Sequence, residues 1–584
     1  MEARAISIEA TDTLADCFAK RVAATPQAIA YRDYDAATKA WTEITWEAMA
    51  RRIGEVRAAL AAEGLAAGDR VAIMLRNCRE WIVFDQAALS LGLVVVPLYV
   101  EDRAENVAYI LGDCGARLLF LEGDEHLNRL DEVRDRLTGV RRIVTVRPCA
   151  RRDDAHVKDL ASWLEGRAAV EAVKTPGDAL ATIVYTSGTT GKPKGVMLSH
   201  QNIAQNVKSC LGAYDVYPED MFLSFLPLSH MLERTVGYCL TMAAGSTVSF
   251  ARSVALLSED FRSVRPTVIV SVPRIFERLH TAMLASLEGA GAAKRQLFEL
   301  AHRTGWDLFQ WRQGRAPWRA SFLLWPVLRA TVAARLLERL GGRVRLCISG
   351  GAALNPTISH TFLGLGLPIC QGYGLTEASP VVSVNRLAHN DPSSIGQPLP
   401  GLEVGFGENN ALRVRGPNVM KGYWNNPEAT AKVLSADGWL DTGDQARMEN
   451  GFLYITGRIK EILVIGNGEK VPPVDMELAI QLDPLFEQAM VVGEGKPYLA
   501  ALVVLNDAQA KKLGGVPDEK ALAARIAAQI KGFPGYAQVR RVAVAAEKWT
   551  VDNGMLTATL KLRRNEIMSR YKESIDELYR AHKG

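Results

Sequence analysis

The chain has 584 residues, 48% of them apolar, and balances 69 Lys/Arg against 65 Asp/Glu for a net charge of +4. That length exceeds what one hydrophobic core serves, so two or more globular domains are expected. So small a charge gives no general electrostatic case for nucleic acid. Eight cysteines are scattered with no CxxC pair and no histidines at metal-ligand spacing. Their pattern argues against a zinc site or a disulfide framework and suits a reducing, cytoplasmic setting. The start, MEARAISIEATDTLADCF, lacks the basic head and apolar centre of a secretory signal. The longest uninterrupted apolar runs, LSLGLVVVPLYV and FLLWPVL, fall short of the ~18 residues that span a bilayer.

In chain order, residues 45–122 alternate helical patterns such as WEAMARRIGEVRAALAAEGL with the short runs RVAIML, VVVPLYV and ARLLFLEG. This rhythm predicts βαβ units and a mainly parallel sheet. It resumes with ATIVYTSG, VIVSV, VRLCISGG and LPICQGYG, so the first 400 residues read as α/β. Beyond residue 400 the pattern changes to short strands joined by Gly/Asn turns, a β-rich junction near residue 457 and a compact α+β end with a helical tail. Between Lys294 and Leu340 the net charge is +6, against −2 for the remainder, and Trp311, Trp318 and Trp325 recur every seven residues after Trp306. Two readings stand: an amphipathic, basic surface for an anionic membrane, or packed helices with Trp inside and Arg in solvent.

YTSGTTGKPKG, residues 185–195, places four Ser/Thr hydroxyls, three glycines and two lysines directly after the apolar run ALATIV. Such a loop suits phosphate, since glycines let backbone N–H groups approach an anion and lysines add charge; a polar turn is the alternative. It is not a Walker A motif, because Lys192 precedes Pro193 and the glycine spacing differs. Four further stretches follow: SGGAAL (349–354), QGYGLTEASP (371–380), DGWLDTGD (437–444) and TGRIKEIL (456–463).

Together these resemble the signature segments of the adenylate-forming superfamily of acyl-CoA synthetases, luciferases and peptide-synthetase adenylation domains, over about residues 12–570. The resemblance implies an α/β fold: a large N-terminal domain (1–456) with two α/β sheets and a small β-barrel, plus a small mobile α+β C-terminal domain (457–584). It implies activation of a carboxylic acid by ATP with Mg2+, then thioester formation with CoA. Thr186, Ser187, Gly188, Thr189, Thr190, Gly191 and Lys194 would wrap the ATP phosphates. Gly350, Gly351 and Ala352 would line the adenine and acyl pocket, and Tyr373, followed by Gly374, would stack on adenine. Thr376 would bond the α-phosphate, Glu377 would hold the metal, Asp444 would take the ribose hydroxyls, and Arg458 would contact ribose or phosphate. Gly457 stands at the hinge where relatives often carry Asp or Lys, so a side-chain role is absent there. Lys561 occupies the place of the catalytic lysine, preceded by Thr559 and Leu560 instead of Ser-Gly, a variant associated with long-chain members.

The segment FLPLSHMLERTVGY (225–238) has no Asp to pair with an amino-acid ammonium. His230 within it would gate the acyl pocket or thiol tunnel, or else be a buried, hydrogen-bonded histidine. The 284–340 insertion resembles that of bacterial long-chain fatty acyl-CoA synthetases, and its part from 294 to 340 is where peripheral membrane contact is expected. A fatty acyl-AMP ligase serving an acyl carrier protein, and an inactive nucleotide-binding membrane adaptor, are the alternatives. No nucleic-acid partner is expected, and oligomeric state is not read from the sequence.

Overall fold

The runs VVVP (94–97), LLFL (118–121) and VIVS (268–271) have no polar face, and each is buried along its whole length. Strands of this kind belong inside parallel sheets covered on both sides. The computed structural model, which describes residues 5–150, 154–186, 192–458, 462–466 and 468–580, sets them in two large sheets. One has eight strands in the order Gly422–Tyr423, Lys194–Ser199, Leu180–Thr186, Val94–Pro97, Arg70–Met74, Leu118–Leu121, Arg142–Thr145, Val157–Asp159. The other has nine: Gln397–Pro398, Val381–Val384, Ile369–Gly374, Leu346–Ser349, Val268–Ser271, Met221–Ser224, Thr247–Phe250, Ile29–Asp35, Ala40–Thr45. The central pairings of both sheets are parallel, as the βαβ rhythm predicts.

Helices Trp46–Ala62, Arg79–Leu89 and His200–Leu211 lie between the sheets and share one core with both. The second is buried from Trp81 to Leu89, as a helix enclosed on all sides requires. Its Asp85 ion-pairs with Arg234, both side chains fully buried. Arg234 also donates to Thr182 Oγ1 (2.8 Å) and lies over the Trp81 ring, so one guanidinium ties the interior helix, the eight-stranded sheet and the 233–239 turn together.

The outer face of the nine-stranded sheet carries Pro273–Glu288, Ala292–Arg312 and Pro356–Gly364. A Cβ at Gly305 would stand 1.9 Å from the Gly364 carbonyl oxygen and 2.5 Å from the Trp325 ring, so glycine alone permits this approach. The four tryptophans divide between the two expectations. Trp306 lies against His360 and Trp325 is 9% exposed, whereas Trp311 and Trp318 are 41% and 55% exposed. Among the described residues, Ala320–Arg339 is helical, long and apolar enough by length and composition to cross a membrane, with 33% of its apolar window buried. Counting only uninterrupted apolar runs hid it in the sequence.

Past residue 400, strands Glu403–Phe406, Ala411–Arg415, Leu440–Glu449 and Phe452–Arg458 form an antiparallel sheet, half a barrel, where a small barrel was expected. Gly457 sits within its last strand, opposite Gln445. Next comes a three-stranded sheet (Phe486–Val492, Leu499–Leu505, Val539–Val544). Pro473–Ile480 and Glu519–Gln529 cover one face, and Arg564–Arg570 and Lys572–Arg580 cover the other.

Candidate active site

In open parallel sheets the loops beyond the carboxyl ends of the strands collect ligands. Here strands Leu180–Thr186, Met221–Ser224, Leu346–Ser349 and Ile369–Gly374 each lead straight into a stretch singled out by sequence. Gly350, buried, donates its N–H to Ser271 O (3.0 Å), and a Cβ on it would meet Leu232 Cδ2 at 3.2 Å. Gly351 has φ +81°, while Gly351 and Ala352 are exposed. A Cβ at Gly374 would come within 2.1 Å of the Pro380 carbonyl oxygen, which fixes glycine at the bend into the Thr376–Ala378 turn.

Two polar clusters form here. In the first, Asp444, 5% exposed, accepts from the Tyr373 hydroxyl on one carboxylate oxygen and from Arg458 Nε (2.9 Å) on the other. Strand pairing sets Asp444 directly across from Arg458. Burial and the Asp444 charge push the Tyr373 phenol well above its ordinary range. In the second, the half-buried Glu377 accepts from the Tyr423 hydroxyl (2.8 Å), and Lys194 Nζ lies 5.1 Å from the Tyr423 ring centre. Thr186 pairs with Lys194 across the hairpin, and Thr376 is half-buried beside Glu377.

One extended stretch joins the two sheets beneath these clusters: Asn418 donates to Ala378 O (2.7 Å), Met420 N to Glu377 O (2.9 Å), Lys421 N to Met197 O (2.9 Å) and Trp424 N to Gly195 O (2.7 Å). Ser187, Gly188, Thr189, Thr190 and Gly191 lie outside the described residues. Tyr423 was missed from the sequence; its KGYWNN context has turn residues and an aromatic pair but no period to draw attention to it.

The C-terminal part reaches the same place. Burial and then the positive charge of Lys561 hold the His230 imidazole down at about 4, so it is neutral near pH 7. Its Nδ1 accepts from Leu232 N (3.2 Å). Gly554, at φ +76°, runs so close to Arg103 that a Cβ there would lie 3.0 Å from the guanidinium, and Leu482 packs on the helices outside the nine-stranded sheet. Lys561 itself is exposed, its N–H bonded to Thr557 Oγ1 (3.1 Å). Sequence reasoning picks His230 and Lys561 separately, and in the fold the positive charge of Lys561 bears on the buried His230 imidazole.

Comparison with known proteins agrees across the whole chain. Residues 18–424 match the family described as AMP-binding enzyme, and residues 460–583 match the AMP-binding enzyme C-terminal domain. The long-chain-fatty-acid–CoA ligase FadD15 of Mycobacterium bovis is 32% identical, covering 92% of each chain. Human long-chain-fatty-acid–CoA ligase 1 is 30% identical over 87% of this chain and 78% of its own. A chloroplastic long-chain-fatty-acid–[acyl-carrier-protein] ligase of Arabidopsis thaliana is 27% identical over 92% of this chain and 83% of its own. Among solved structures, an anthranilate CoA ligase in complex with anthranoyl-AMP shares the fold, with TM-score 0.76 and 19% identity over 99% of this chain and 100% of that one. With signature loops at the strand ends and both family patterns in register, the chain belongs to the AMP-binding enzyme family.

Proposed function

We propose that the protein is a long-chain fatty acid–CoA ligase that forms AMP. The observation that carries this reading is the pair of polar clusters at the strand ends, with Asp444 held between Tyr373 and Arg458 and Glu377 bonded by Tyr423. The 32% identity to FadD15 along 92% of both chains supports the acid class.

In the first step the fatty acid carboxylate attacks the α-phosphorus of ATP, and pyrophosphate leaves with the electron pair of the broken P–O bond. Two anions meet, so the site must supply cations and directed donors. Tyr373 stacks on adenine, and Asp444 uses the lone pairs left by Tyr373 and Arg458 to take the ribose hydroxyls. Thr186, Lys194 and the 187–191 loop hold the phosphates, with Thr376 at the α-phosphate. Lys561 bridges the carboxylate and α-phosphate oxygens. A Mg2+ ion fits the donor set, since the half-buried carboxylate Glu377 would share a hard cation with substrate phosphates. When bound, that ion offsets phosphate charge. In the second step a thiol attacks the acyl carbon and AMP leaves. Lys561 serves the first step and the thiol must enter for the second, so domain 457–584 turns about Gly457 against domain 1–456 between them.

A second reading concerns where the acid is collected. Leu323 is 73% exposed and Val327 64%, flanked by Arg315, Arg319 and Arg329, so we propose that segment 294–340 rests on the headgroup layer of an anionic membrane facing the cytoplasm.

The deciding assay is AMP release by the purified protein with MgATP across acids from acetate to oleate, with and without CoA. Release that requires CoA and peaks with long chains is expected. Release without CoA but with an acyl carrier protein moves the assignment to the carrier-protein ligase, and no release with any acid overturns it.

A further inference from the structure

Tyr423 stands at the centre of the second polar cluster, and the proposed reaction gives it no task. Its backbone is fixed from two sides. It pairs with Val196 in the eight-stranded sheet, between Lys421 N–H bonded to Met197 O (2.9 Å) and Trp424 N–H bonded to Gly195 O (2.7 Å). Its own N–H donates to Thr430 Oγ1 (2.9 Å), and that hydroxyl donates to Asn426 O (2.9 Å). A Cβ at Gly422, where φ is +127°, would stand 2.8 Å from Thr430 Cγ2, so glycine alone permits this approach. The tyrosine side chain carried by this frame is buried.

Two opposite charges meet that one side chain at different places. The hydroxyl donates to Glu377 Oε1 (2.8 Å), while the Lys194 ammonium lies 5.1 Å from the ring centre, over the ring. Glu377 is tied to the same stretch a second time, because its carbonyl accepts from Met420 N–H (2.9 Å). Burial, and then the Glu377 charge, push the Tyr423 phenol above its ordinary range, so it remains a donor at neutral pH. Lys194 and Glu377 form no ion pair with each other, and Glu377 Oε2 has no partner among the described residues. An ammonium and a carboxylate that share a neighbour attract each other. Contact between them would occupy the donors and lone pairs that phosphates and a hard cation require.

We infer that Tyr423 is a positioning residue with two separable tasks: its hydroxyl orients Glu377 so that one carboxylate oxygen stays open to Mg2+ on a bound nucleotide, and its ring keeps Lys194 off that carboxylate and available to the phosphates. The inference rests on the proposed adenylation, which gives Glu377 and Lys194 their ligands.

The test is calorimetric binding of the uncleavable α,β-methylene analogue of ATP to wild type, Tyr423→Phe and Tyr423→Leu, in EDTA and over a Mg2+ titration. Wild type should bind more tightly with Mg2+. Tyr423→Phe keeps the ring and loses the hydroxyl. Its affinity in EDTA should match wild type, and the Mg2+ concentration that gives half of the gain should rise about tenfold, the lower end of what losing a metal ligand's hydrogen-bond partner costs. Tyr423→Leu loses the ring as well, so its affinity in EDTA should fall about fivefold, the scale of one cation–π contact.

A general loosening of the fold would weaken binding by Tyr423→Phe in EDTA and in Mg2+ alike. That result, or a Mg2+ requirement unmoved in Tyr423→Phe, overturns the inference, and both are read from the variant that preserves the packing. Undiminished affinity of Tyr423→Leu in EDTA overturns the task given to the ring. Binding needs no turnover, so this failure is distinct from failure of the proposed function. The expected split in a protein that activates no acid would uphold Tyr423 and overturn the ligase reading, whereas wild type that binds no nucleotide would overturn both.

Discussion

Asp444 divides its two oxygens between Tyr373 and Arg458, and the proposed reading gives their remaining acceptor capacity to the ribose hydroxyls. Asp444→Asn keeps the shape but gives up the charge, so the KM for ATP should rise about tenfold, the scale of one charge-assisted hydrogen bond, with kcat less affected. Steady-state kinetics at saturating acid reads this. Lys561→Ala should slow adenylate formation by ~10²-fold or more while leaving thioester formation from supplied acyl adenylate near normal. Single-turnover assays of each half-reaction separate the two, and equal losses in both would remove Lys561 from the first step alone.

His230 and His200 are both held at about 4, below the ordinary 6.5. A depressed histidine stabilises the fold above pH 6.5 and ceases to do so as pH falls toward 4, since the unfolded chain takes the proton first. Melting temperature should therefore drop across that interval, less steeply for His230→Asn. Most residues proposed at the site were legible because each sits in a compact run of glycine, hydroxyl and charge. Tyr423 was not, because its partner Glu377 is distant in sequence, and the fold alone brings the two together.

At the level of elements, the parallel sheets were readable from apolar runs, since strands buried on both faces need no polar alternation. The hairpin of Ile29–Asp35 with Ala40–Thr45, and strands Arg142–Thr145 and Val157–Asp159, were not. The first two and the last mix charged or polar residues with apolar ones and lie toward sheet edges, where one face meets water, so no apolar run announces them. The bend after strand Ile369–Gly374 is specified by space: Gly374→Ala would press a methyl group onto the Pro380 carbonyl. About 1–3 kcal/mol of destabilisation is expected, the usual cost of forcing extra volume into a packed site, read by denaturant unfolding. Loss of adenylation should exceed what the unfolded fraction accounts for, because the Thr376–Ala378 turn shifts with the strand.

Over the whole molecule, the fully buried Arg234–Asp85 pair holds the eight-stranded sheet and the 233–239 turn to one interior helix. Removing one partner strands the other charge, so Asp85→Ala should cost about 3–5 kcal/mol, against near neutrality for a double replacement by well-packed apolar residues. No sequence signal paired residues 149 positions apart. The membrane reading is tested at this scale too. Leu323→Glu with Val327→Glu should weaken co-sedimentation with anionic vesicles by about tenfold or more, and added salt should weaken what remains. Unchanged binding by the double variant would end that reading.

The split among the insertion's tryptophans has a spectroscopic consequence. Trp46, Trp81 and Trp163 have no exposed surface and emit from a constant, dry environment, while Trp311 and Trp318 face solvent in the segment proposed to meet lipid. The protein thus carries its own depth gauge. If those two indoles enter the headgroup layer, their red-edge emission shifts to the blue on adding vesicles and is quenched by lipids brominated near the glycerol, with the buried tryptophans as an internal standard. Replacing Trp311 and Trp318 by Phe would erase the shift and leave the standard in place.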